Sequence, residues 1–207
     1  MKLNASFPRR TRLYALLFSL VLCLTACSAP SDPSGTLSEF SRDGNAFCYP
    51  DAQWGMTPSE LQKETGGLAT QPDGSGDPDD SLDSYTGALF SKDTVSLSGL
   101  TARASFQFED GALWAAGLTA SGGGSTLETF DALVQEARNA FGDAAQTQEN
   151  ETRELEVNGT PITVTVSSYQ WEREDGDGAR TRLMISAVQQ SESSVAVSLD
   201  VSLLPNA

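Results

Sequence analysis

Apolar and polar residues alternate over most of the chain beyond residue 85. The alternation is broken once by a stretch of helical spacing. Period-two runs predict strands at Tyr85–Phe90, Thr94–Ser98, Ala102–Glu109, Ala112–Ala120, Thr152–Val157, Thr160–Trp171, Arg180–Gln189 and Ser194–Leu203. Asp110-Gly111 and Asn158-Gly159 each separate two such runs and predict tight hairpin turns. Between the two groups, Leu127, Phe130, Val134, Ala137 and Phe141 recur on one face of a helix that Gly142 ends, and Ser125 with Glu128 has the form of a capping box. A shorter helix at about 58–65 is marked by its ends. Thr57-Pro58-Ser59-Glu60 supplies an N-cap, a first-turn proline and a capping-box glutamate, and Gly66-Gly67 supplies the stop.

The order is helix, strands, helix, strands. It predicts one α+β domain over 47–207: an antiparallel sheet with helices on one face, in two similar helix-plus-strands halves, about 47–121 and 122–207. Phe106, Phe108, Leu133, Val134, Phe141, Val164, Leu183 and Val197 are expected in the core.

Two-residue turns fix a register, and a register assigns side chains to faces. Ala102, Ala104, Phe106 and Phe108 then face the core. Pairing Glu109 with Ala112 and Gln107 with Trp114 puts Trp114 and Leu118 on the polar face. Pairing Leu155 with Ile162 and Arg153 with Val164 puts Ile162, Val164 and Val166 in the core, with Tyr169 and Trp171 opposite. Leu183, Ile185 and Ala187 look internal, so Arg182, Met184 and Val188 look outward. The open face would therefore carry a patch of Trp114, Tyr169, Trp171, Arg182 and Met184, residue types enriched in recognition surfaces. The alternative is that a bulge reverses the register, or that the chain's own segments cover these residues.

The N-terminal segment has another character. Lys2, Arg9, Arg10 and Arg12 precede an apolar run, Leu13 to Leu24, that is shorter than the roughly 20 residues a bilayer-spanning helix needs. This is the pattern of a secretory signal peptide, residues 1–26. Its end, Leu24-Thr25-Ala26-Cys27, resembles the lipobox of bacterial lipoproteins. That resemblance implies cleavage before Cys27, a lipid on its sulfur, and an extracytoplasmic protein anchored to the cell membrane. Residues 27–46, rich in Ser, Pro, Asp and Gly, read as a flexible tether.

Removing the signal takes the net charge from −15 to −19. A polyanion of this kind is repelled by phosphate backbones, which argues against a nucleic-acid partner. Cys48 is then the one cysteine left unlipidated, and between Phe47 and Tyr49 it reads as a small buried apolar residue.

The chain contains no histidine, which excludes a Ser-His-Asp triad, a Cys-His pair and most catalytic zinc sites. No phosphate-binding or dinucleotide glycine motif is present. Two acidic clusters, Asp73/Asp77/Asp79/Asp80/Asp83 and Glu174/Asp175/Asp177, have calcium-type ligands without EF-hand spacing, and read as turns. No catalytic residues, metal or cofactor are expected.

Phe47, Trp54-Gly55-Met56-Thr57 and Glu60-Leu61, followed by Leu100-Thr101-Ala102, Phe106, Phe108, Asp110-Gly111 and Leu113, resemble small lipoproteins of Gram-positive gut bacteria. Over roughly residues 50–204 the layout is similar to the beta-lactamase inhibitory protein family, whose tandem halves bind an enzyme on an aromatic-rich concave sheet; that family's paired disulfides are missing here. The Gly-Met-Thr helix start also resembles the small lipoprotein of the outer-membrane barrel-assembly machinery. Together these readings imply a lipid-anchored module that binds an unknown protein or peptide through its open sheet face. The alternative is a structural or assembly lipoprotein of the envelope.

Overall fold

The computed structural model describes residues 37–42, 46–78, 82–157 and 160–205. The signal segment, Cys27, most of the tether, Asp79, Asp80 and the Asn158-Gly159 turn lie outside the described residues.

The fold is α+β, built on an antiparallel sheet of eight strands. In chain order the elements are a 3-10 turn at Leu37–Phe40, β1 (Ser41–Arg42), β2 (Ala46–Phe47), α1 (Pro58–Thr65), β3 (Leu68–Ala69), β4 (Gly87–Leu97), β5 (Leu100–Glu109), β6 (Ala112–Gly122), α2 (Ser125–Phe141), β7 (Gln146–Val157), β8 (Thr160–Glu174), β9 (Arg180–Ser191) and β10 (Ser194–Leu203), with a second 3-10 turn at Leu82–Ser84. The sheet order is β3-β4-β5-β6-β10-β9-β8-β7, and β1 pairs with β2 apart from it. Each run of strands is a meander, and the last strands of the two runs, β6 and β10, join them.

Both helices start and stop near where the sequence predicts, for partly different reasons. The α1 capping box forms: Glu60 donates its amide to the Thr57 hydroxyl at 3.3 Å, and the Thr57 amide donates to the Glu60 carboxylate at 2.9 Å. Gly66 ends the helix at φ +80°. The capping box expected at Ser125 does not form. Gly124 is the N-cap and gives no side-chain bond, and Ser125 is already the first helical residue.

The core lies between the helices and one face of the sheet. Phe130, Leu133, Val134 and Ala137 of α2 and Leu61 of α1 join one cluster with Ala104, Phe106, Phe108, Leu183, Ile185, Val197 and Leu199. Full burial of each Val, Leu, Ile or Phe side chain among these is worth about 1.5–3 kcal/mol. Phe141 packs against the cluster while partly exposed.

The predicted strands 85–90 and 94–98 are one strand, β4, with a bulge between Phe90 and Thr94. The bulge is held chemically. The Ser91 hydroxyl accepts the Ala104 amide at 3.1 Å, and the Arg103 guanidinium donates to the carbonyls of Ser91 and Lys92, both at 2.6 Å.

The folded domain also begins earlier than the sequence suggests. Leu37 and Phe40, placed by composition in the tether, are buried in the core. The Leu37 amide donates to Glu136 of α2 at 2.7 Å, and the Cys48 amide to the Phe40 carbonyl at 2.9 Å. Both side chains join the core cluster, and the Phe40 ring packs edge-on against Tyr49 at 5.8 Å. Cys48 is buried, as its apolar neighbours imply.

Candidate functional site

The face of the sheet away from the helices is built from rows of side chains that the register sets side by side. One row runs from Gln107 through Ala115 and Ser202 to Arg182 and Glu172. The next runs from Ser105 through Gly117, Asp200 and Met184 to Gln170. A third passes through Thr119, Ser198 and Ser186 to Ser168.

Asp200 sits at the centre. Its carboxylate accepts the Ser198 hydroxyl at 2.9 Å, and Ser198 is in turn hydrogen-bonded to Ser186 at 2.8 Å. Burial pushes the Asp200 carboxyl above the usual carboxylate range, opposed by the Ser198 hydrogen bond and the Arg182 charge. The carboxylate has room because its partner across the ladder is Gly117. A Cβ there would overlap Asp200 Oδ1 and lie 2.9 Å from the Leu199 carbonyl oxygen. In the adjacent row the Ser202 hydroxyl is buried with no hydrogen-bond partner. These are hydrogen-bonding groups on the side of the sheet away from the helices. The arrangement suits recognition of something laid across it.

The five residues expected to form one patch are divided between the two faces. Arg182 and Met184 lie on the open face, half-buried, as the alternation of β9 predicts. Trp114 is 40% exposed, but not by simple alternation. A bulge between Gln107 and Phe108 pairs Ala115, instead of Trp114, with Gln107. Trp114 is the extra residue, and every side chain after it changes face, so Leu118 is in the core.

Tyr169 and Trp171 are core residues. They pair with Ile185 and Leu183 on the helix side. The Tyr169 ring lies 5.9 Å from that of Phe130, under the Arg138 guanidinium at 4.9 Å. Its hydroxyl donates to Glu149, a bond that, with burial, raises the phenol's pKa. Trp171 donates its indole N–H to the Gly142 carbonyl at 2.9 Å, so it fastens the end of α2.

The cause of the misplacement is that β8 is apolar on different faces at its two ends. The pairings Leu155–Ile162 and Arg153–Val164 form as expected. The face they define is the open one at that end of the sheet. Val164 is buried, but outside the main core. With Leu155, Ile162, Val188 and Ala196 it lines a shallow open groove of about 470 Å³. The signal was present in the sequence: apolar positions change parity between Val166 and Tyr169 across Ser167-Ser168, while the ladder to β9 runs on without a shift.

The acidic clusters are turn residues where described. Asp73 accepts the Ser75 amide and hydroxyl, and these bonds hold its carboxyl below the usual range; Asp77 pairs with Lys92 at 2.6 Å. Asp175 accepts the amides of Asp177 and Ala179. Among the described residues no group of three or more acidic, cysteine or histidine side chains is placed to hold a metal ion. Comparison with protein-family models, curated proteins and solved structures returned no match.

Proposed function

We propose that this chain is a lipoprotein, anchored outside the cell membrane through Cys27, whose domain binds a protein or peptide on the open face of its sheet. The observation that carries the reading is the chemistry of that face. On its central strands β6, β10 and β9 the outward positions include Ala115, Gly117, Thr119, Ser121, Ala196, Ser198, Asp200, Ser202, Arg180, Arg182, Met184, Ser186, Val188 and Gln190. Among these Asp200, Arg180 and Arg182 carry charge, and Asp200 is the one carboxylate, in a chain of net charge −15. A sheet face meant for water in so acidic a protein would hold carboxylates. Depletion of charge with Met, Arg and a nearby Trp is the composition of an interface centre. The role is binding rather than catalysis, and it needs no cofactor.

The two helix-plus-strands halves share a plan on this reading: each helix precedes an antiparallel meander, and the meanders meet at β6 and β10. The meeting line is where Asp200 and Gly117 face each other, so the recognition surface straddles the junction.

The test is site-specific photo-crosslinking of the full chain in intact cells. A crosslinking residue at Met184 is expected to capture a discrete protein, and one at Gln135, exposed on α2, is not. Equal capture from both positions, or none from Met184, would refute the open-face reading. Envelope defects on deletion without Met184 capture would favour an assembly role. In the same cells Cys27→Ser is expected to leave the protein unprocessed or released; a membrane-bound Cys27→Ser form of mature size would refute the anchor.

A further inference from the structure

The sheet has two edges, and the fold treats them differently. At one, β3 pairs with β4, and the loop after β3 folds back so that Thr70 and Gln71 bond to Gly76 and Ser75. At the other, β7 is the last strand. Its outer side has no partner strand among the described residues. An edge of this length presents a row of backbone N–H and C=O groups on which a further strand can form.

Natural edges are commonly blunted by charge and by bulges, and β7 has both. Its register shifts between Gln148 and Glu151, and it carries Glu149, Glu151, Glu154 and Glu156 against Arg153. The Arg153 charge is already engaged by Glu151 and Gln148. Two features exceed what protection needs. The net charge is negative, which repels a second copy of β7 while attracting a basic strand. In addition, Leu155 stands 42% exposed in the middle of the acidic run. It pairs with Ile162 at the mouth of the groove that Val164 and Val188 floor.

The faces divide these features by period two. Leu155 lies on the groove side together with Glu151 and Arg153, which bond each other, and Glu154 and Glu156, both exposed, lie on the opposite side. From Glu151 to Val157 the pairing with β8 is regular. That run is about 20 Å long at ~3.4 Å per residue.

We propose that the outer edge of β7 over Glu151–Glu156 accepts an extended strand from a partner protein, in which basic and aliphatic residues alternate. Its backbone extends the sheet. Its aliphatic side chains pack beside Leu155 and Ile162 along the groove. Its Lys or Arg side chains meet Glu154 and Glu156 on the other face. This rests on the binding-module reading and locates the contact at the edge as well as on the open face.

The probe is a labelled heptapeptide of alternating lysine and valine, added to the detergent-solubilised full chain and followed by fluorescence anisotropy and amide hydrogen exchange. Controls are a peptide of the same composition with lysines and valines in blocks, and one N-methylated at alternate residues so that it cannot pair as a strand. The alternating peptide is expected to bind at least tenfold more tightly than either control, and to slow exchange in β7. The double substitution Glu154→Lys/Glu156→Lys changes exposed side chains alone and is expected to weaken binding at least tenfold; Leu155→Ser is expected to weaken it several-fold. Equal binding by the alternating and N-methylated peptides, no effect of the charge reversal, or no binding at millimolar peptide would overturn the proposal. Protection confined to β9 and β10 would also overturn it while leaving the open-face reading intact. Protection of β7 with no Met184 crosslink in cells would uphold the edge and remove the open face.

Discussion

Gly117→Ala is the sharpest test of how the open face is built. In most strands this exchange would stabilise, by about 0.5–1 kcal/mol, because glycine loses more backbone freedom on folding. Here the new methyl would overlap Asp200 Oδ1 and press on the Leu199 carbonyl oxygen at 2.9 Å. The carboxylate has to swing away from its position over β6 and give up the Ser198 hydroxyl. A hydrogen bond to a charged group contributes about 1.5–3 kcal/mol. The net expectation is a loss of about 1–2 kcal/mol, read as a lower urea midpoint by tryptophan fluorescence. A double-mutant cycle separates this from any general intolerance of the strand. In an Asp200→Ala background the carboxylate part of the clash is gone, and the cost of Gly117→Ala should shrink by about 1 kcal/mol or more; the pressure on the Leu199 carbonyl remains. In an Asp200→Asn background the side chain keeps its shape, and the cost should persist. A neutral or stabilising Gly117→Ala, or equal costs in the wild-type and Asp200→Ala backgrounds, would refute the reasoning.

Asp200→Asn by itself tests the electrostatics of the same site. Burial raises the Asp200 pKa in the folded state, so the native protein binds more protons than the unfolded chain between the ordinary carboxylate range and that raised value. Wild-type stability should therefore fall relative to Asp200→Asn as pH rises through that window, and the gap should level off above it. A gap that does not change with pH would contradict the burial argument. The two tryptophans assigned to different surroundings should respond differently: Trp171→Ala is expected to cost about 3–5 kcal/mol as a buried aromatic, and Trp114→Ala about 1 kcal/mol or less. Comparable urea midpoints for the two variants would refute the division of the aromatic patch between faces.

The sequence by itself determined both helices, most of the long strands and much of their pairing, because those depend on local chemistry. The capping box at Thr57 and Glu60 fixed the start of α1, helical spacing from Leu127 to Phe141 fixed the buried side of α2, and Asp110-Gly111 set Glu109 against Ala112. Alternation in β5 and β9 assigned Phe106, Phe108, Leu183 and Ile185 to the core correctly, since one face of each strand is covered along its length: Tyr49 lies against Phe106, Tyr85 against Phe108, and α2 packs on β9. Tertiary structure decided what alternation leaves ambiguous. One inserted residue at Trp114 moved Leu118 from the expected polar face into the core. In β8 the ladder is continuous, yet Val164 packs on the open face and Trp171 on the helix face, because α2 covers one end of the strand and the groove forms at the other. Period two states which residues share a face. Which face is covered depends on where a helix comes to rest, and that is set by packing between segments far apart in the chain. Leu37 and Phe40 show the same limit: composition made them tether, and a vacancy on the helix side of a distant sheet made them core.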